Sequence, residues 1–145
     1  ELESKLNAVS ARRDTAHAEI KRIESRSAEL ALVMKHAGTY RQIKPLYDRY
    51  RKSNDKEKFL RGHESEIILF EAAARELKRL GAVPLPTTES MKKELANLTA
   101  EKERLLVEYK AARTEAQEYD TVKQNVDALL AVPKEQVQKQ VNELE

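Results

Sequence analysis

The sequence predicts an all-α fold: a long antiparallel helical hairpin with coiled-coil packing and a small helical knob at its turn end. Two heptad seams and a composition suited to exposed helices carry this expectation. The first seam runs Leu2, Leu6, Val9, Arg13, Ala16, Ile20, Ile23, Ser27, Leu30 and Met34, with steps alternating between four and three. The second keeps the same rhythm through Met91, Leu95, Leu98, Lys102, Leu105, Tyr109, Ala112, Ala116, Tyr119, Lys123, Val126 and Leu130. Spacing sustained over this length calls for supercoiled helix pairing. Charged residues make up 36% of the 145 and glycine only three, a balance that fits long solvated helices and not a compact α/β domain.

The elements follow in order. A first helix is expected over residues 1–36, ending near Gly38, which can supply a C-terminal cap. A second covers residues 40–52, where Pro45 kinks or restarts it because proline lacks the amide. Ser53-Asn54-Asp55 reads as a turn and N-cap. A short piece over residues 56–61 leads past Gly62 into a third helix over 63–80, with Ile67, Phe70, Ala74 and Leu77 on one face and Gly81 closing it. The knob, with its basic segment, thus spans residues 37–86. Residues 82–86 form an extended connector, Thr87 or Thr88 caps the last long helix, residues 87–132, and Pro133 breaks it. Residues 133–145 are expected as a helical tail held by Val137 and Leu144. Placing Met34 beside Met91 puts Arg13 near Ala112 and leaves Val126 and Leu130 beyond the start of the first helix.

Composition excludes several chemistries. Without cysteine there are no disulfides, thiolate zinc sites or cysteine nucleophiles. The longest apolar runs, such as Ile67 to Phe70, are too short to span a bilayer, so no membrane insertion is expected. No signal-peptide pattern opens the chain, and the first residue is Glu1, so a cytoplasmic fragment of a longer protein is expected. His17, His36 and His63 share no i, i+4 spacing, and no phosphate-binding glycine loop or Ser-His-Asp order is present. No catalytic residue, metal site or cofactor is therefore assigned. His63 reads as a helix-start residue.

Charge is unevenly placed. Between Lys35 and Arg61 stand nine cations and three carboxylates, a local charge of +6, so the remainder of this +2 chain carries −4. The candidate nucleic-acid contacts are Arg41, Lys44, Arg49, Tyr50, Arg51, Lys52, Lys56, Lys58 and Arg61. Clustered cations attract phosphates without regard to sequence, and interleaved rings can stack on exposed bases. The same pattern also reads as a packed knob with a wet basic side, since Tyr40, Ile43, Tyr47 and Tyr50 fall at helical spacing.

A further cue is the text itself. Tyr47-Asp48-Arg49-Tyr50-Arg51-Lys52-Ser53, then Lys58-Phe59, then the run from His63-Glu64-Ser65-Glu66 to Leu77 resembles the C-terminal helical region of relaxases. These are the mobilisation nucleases of integrative conjugative elements and plasmids in Gram-positive bacteria. Val83-Pro84-Leu85-Pro86 and Tyr109-Lys110-Ala111-Ala112-Arg113, with Tyr119, Val122, Lys123, Asn125 and Val126, are similar to the same region. The likeness covers about residues 20–131, and Pro45 departs from the uninterrupted helix expected there. It implies a parent enzyme that nicks one strand at a transfer origin through a catalytic tyrosine and a histidine-bound metal in an N-terminal domain. No residue here matches those motifs, and Tyr47 and Tyr50 are not candidates for the nucleophile.

The expectation is a non-catalytic helical domain of a DNA-transfer relaxase, contributing DNA contacts and assembly of the conjugative complex. Its partners would be DNA, single-stranded or transfer-origin duplex, and proteins of the mobilisation machinery. The alternative is a pure protein-interaction or dimerisation coiled-coil module, with a homodimer as one outcome.

Overall fold

The computed structural model describes residues 1–131; the expected tail over 133–145 lies outside the described residues. The described residues form three helices and no strand: α1 Leu2–Lys52, α2 Lys56–Arg79 and α3 Thr88–Leu130. The all-α class is as predicted. Among these residues no helix is long and apolar enough to cross a membrane.

The first two predicted helices are one. Gly38 does not cap and Pro45 does not restart; both lie inside α1. A proline in a helix interior forfeits one backbone bond and crowds the preceding turn, a cost of about 3 kcal/mol. Packing overrides it. Tyr40 and Tyr47 lie two turns apart on either side of Pro45, and both stack on Phe70, with centroids 4.6 and 4.2 Å away. Only an unbroken helix keeps those two rings on one face. Ala37, next to Gly38, is completely buried, and the Thr39 hydroxyl donates to the Lys35 carbonyl one turn back.

The punctuation after α1 follows side-chain chemistry. The Asp55 carboxylate accepts the Lys58 amide at 3.1 Å and caps α2. Inside α2, His63 leaves helical geometry (φ −138°, ψ 26°), so the chain bends where a short piece was expected to meet the third helix. The His63 ring faces the Glu66 carboxylate at 3.0 Å. At the C-terminus the Gly81 amide donates to Lys78 and the Ala82 amide to Leu77, with Gly81 at φ +70°. This is a left-handed glycine cap, and it uses two carbonyls the helix would otherwise leave unpaired. The Thr87 hydroxyl then accepts the Ser90 amide at 3.1 Å and opens α3.

The chain forms two compact units, Glu1–Lys21 with the described part of Lys102–Glu145, and Arg22–Glu101. These boundaries differ from the expected ones at 36 and 86, because the core built with α2 takes in much of α1 and the start of α3.

In the first unit the α1 and α3 segments run antiparallel. Val9 packs with Ala112 and Ala116, flanked by Leu6 and Tyr119. Arg12 pairs with Glu115 at 2.7 Å, and the His17 and Tyr109 rings sit 5.7 Å apart.

The second unit is built on three helices. Ile23, Leu30 and Val33 of α1, Ile67, Phe70, Ala73 and Leu77 of α2, and Met91 and Leu98 of α3 are all buried. At its rim Arg26 grips Glu94 through two bonds of 2.7 and 3.1 Å. That hydrogen bonding holds the Glu94 carboxyl below its ordinary range and raises Arg26 above its own.

The heptad reading survives position by position. No seam residue from Leu2 to Met34 is exposed, nor any from Met91 to Lys123. Val126 and Leu130 are exposed, as the register required.

Candidate nucleic-acid interface

The basic segment lies entirely within the second unit, on the last turns of α1, the turn at residues 53–55 and the first turns of α2. The turn is tight and internally bonded. The Ser53 amide donates to the Tyr50 carbonyl, and the Ser53 hydroxyl accepts the Asp55 amide at 3.2 Å. Cations from two helices are therefore presented on either side of three residues.

The aromatic residues form a continuous row. Tyr40 and Tyr47 flank Phe70, Tyr47 meets Tyr50 at 5.8 Å, Tyr50 meets Phe59 at 6.0 Å, and Phe59 meets His63 at 4.7 Å. Such contacts add to the apolar area they bury and join α1 to α2. Tyr50 is half-buried within this row. Its ring is engaged by its neighbours, and its first role is packing.

The eight candidate cations divide into two groups. Arg41 is committed: its guanidinium donates to the Pro86 carbonyl and, at 3.1 Å, to the Thr88 hydroxyl, tying α1 to the connector and the start of α3. Lys44 pairs with Asp48 one turn on, at 3.3 Å. Arg49 lies over the Phe59 ring, 5.7 Å from its centre.

Arg51, Lys52, Lys56, Lys58 and Arg61 form the second group. All five are exposed, and among the described residues none has an acidic partner. Two are on the end of α1 and three on the start of α2. Two carboxylates stand among them: Asp55 is occupied in capping α2, and Glu57 lies exposed in the first turn of α2, where it complements the helix dipole.

The spacing of cations in the sequence located this group but not its division. Arg41 reaches a carbonyl 45 residues away, and no local pattern announces such a contact. The row through Phe70 was missed for the same reason.

The site's chemistry is electrostatic. Long flexible cations around one turn can each neutralise a phosphate, releasing condensed counterions as they do so. No ring in the row is left free to take a stacked base on both faces. Among the described residues no group of three or more His, Asp or Glu side chains is placed to hold a metal ion. No family model, curated protein or solved structure matches the chain.

Proposed function

We propose that this chain is a non-catalytic helical module that binds the phosphate backbone of nucleic acid through the turn joining α1 and α2. One observation carries the reading: five exposed cations, without acidic partners among the described residues, flank a three-residue turn held by its own hydrogen bonds. The relaxase resemblance supplies a setting. There the nicking domain would belong to another part of the protein, and this module would add DNA contacts at the transfer origin and help assemble the complex.

Fluorescence anisotropy with labelled duplex and single strands at low salt tests the proposal. Saturable binding that is indifferent to base sequence and falls steeply with added salt is the expected result. No binding to either form at low salt would eliminate the nucleic-acid role.

A protein-interaction or dimerisation module is the second reading. It is favoured by Val122, Val126, Leu129 and Leu130 near the end of α3, which are 41–80% exposed. Apolar side chains clustered in this way mark contact surfaces more often than scattered ones do. Light scattering across a concentration series would reveal self-association, the outcome that favours this reading.

A further inference from the structure

We propose that the first unit carries a separate phosphate-binding cleft between α1 and α3, independent of the basic turn. The cleft holds about 300 Å³ and is lined by Arg13, Asp14 and His17 of α1 and by Tyr109, Arg113 and Gln117 of α3.

Both arginines stand where helical spacing gives them no acid. Residues three and four positions from Arg13 are Val9, Ser10, Ala16 and His17; those from Arg113 are Tyr109, Lys110, Ala116 and Gln117. The nearby carboxylates on α3 are engaged elsewhere, Glu115 by Arg12 and Glu108 by Arg104. The single carboxylate of the cleft, Asp14, accepts from the Arg13 Nε at 3.0 Å, and among the described residues no bond occupies the terminal nitrogens of that guanidinium. Arg113 is exposed and has no acidic partner among the described residues.

Two guanidiniums thus line one opening against one carboxylate. Arg13 also holds a seam position, where the heptad normally places an apolar side chain. A tetrahedral anion relieves the mutual repulsion and suits guanidinium geometry, which binds phosphate oxygens in pairs. The Tyr109 hydroxyl and Gln117 amide add neutral donors on the same wall. The ligand chemistry is a phosphate group, supplied either as a free or terminal phosphate or as an internal phosphodiester of a nucleic-acid strand.

The test is calorimetric titration of the full chain at fixed ionic strength, using inorganic phosphate and a trinucleotide with and without a 5′-phosphate. Chloride serves as the blank. Saturable phosphate uptake should weaken about tenfold or more in Arg113→Gln, consistent with loss of a charge-assisted hydrogen bond. It should persist in the Arg51→Ala, Lys52→Ala double variant. Arg113 is exposed, so its replacement leaves the fold intact, and a melting curve verifies this.

Preference for inorganic phosphate and the 5′-phosphorylated strand identifies a free or terminal phosphate. Equal affinity for both strands identifies the phosphodiester. Absence of saturable uptake of any of the three, or uptake unchanged by Arg113→Gln, overturns the proposal.

Discussion

In the first unit two helical segments meet over Val9, Ala112 and Ala116; in the second, three meet over Ile23, Leu30, Ile67 and Leu77. The largest fully buried side chains of the described residues all belong to the second. The difference is geometric. Two helices side by side enclose only a thin seam, so Val9, Ile20 and Leu105 keep 5–6% of their surface exposed and only the alanines fall lower. A third helix roofs the seam and lets isoleucine, leucine and phenylalanine disappear from solvent. Each such side chain contributes about 1.5–3 kcal/mol on burial, so the region carrying the basic turn is also the better anchored.

The sharpest way to break that comparison is to place a charge in each core. Ile23→Asp puts an unpaired carboxylate at a fully buried position and should cost about 4 kcal/mol or more. Val9→Asp, in the thinner seam where the residue keeps 6% exposure, leaves the carboxylate closer to water and should cost less, about 2 kcal/mol. Denaturant titrations followed by circular dichroism give both values. Equal losses would mean that the two units do not differ as described.

Pro45 and Gly38 sharpen the account of α1. Both interrupt helical propensity inside a continuous helix, and a Cβ added at Gly38 meets nothing within 4 Å. Pro45→Ala should stabilise the protein by up to about 3 kcal/mol and Gly38→Ala by about 1 kcal/mol. A loss of stability in either variant would show that the chain needs a break there.

These two residues also mark the limit of what the sequence conveyed. Asp55, Gly81 and Thr87 were legible as helix ends because a cap is local: the carboxylate, the left-handed glycine and the hydroxyl act within three or four residues of themselves. The seams were legible because their period is local as well, down to the exposure of Val126 and Leu130. Gly38 and Pro45 carried an equally local signal of the opposite sense, and it lost to a distant partner. Phe70, in another helix, gathers Tyr40 and Tyr47 from both sides of the proline. The candidate interface divides in the same manner. Its cations could be counted from the sequence, but Arg41 was spent on Pro86 and Tyr50 on its ring neighbours by contacts that only the fold creates.

Tyr50 offers a finer test within the second unit. Tyr50→Ala removes a half-buried member of the aromatic row and should lower the melting temperature, at a cost of about 1–2 kcal/mol. The salt dependence of nucleic-acid binding should stay as it was. A selective loss of single-strand affinity, with melting unchanged, would assign the ring to base stacking.

The smallest expected effect concerns pH. The Arg26 guanidinium lowers the folded-state pKa of Glu94, so the pair contributes stability above the unfolded carboxylate value of about 4.3. That contribution is lost as pH falls through the lower folded value. Both side chains are 40% exposed, so solvent screens the pair and the change should stay below about 1 kcal/mol. Melting curves across the acid range should show this component missing in Glu94→Gln. An unchanged acid profile in that variant would contradict the assignment.

The central claim, that the turn between α1 and α2 binds phosphates through its five exposed cations, is tested most directly by the salt slope of binding. Affinity for a duplex is measured over a salt series for the parent chain and for the Arg51→Ala, Lys52→Ala double variant. Losing two phosphate contacts should flatten the slope of log affinity against log salt by up to about 2 units and weaken all sequences alike. A slope identical in the two proteins, with binding retained, would place the nucleic-acid contacts elsewhere and contradict the account.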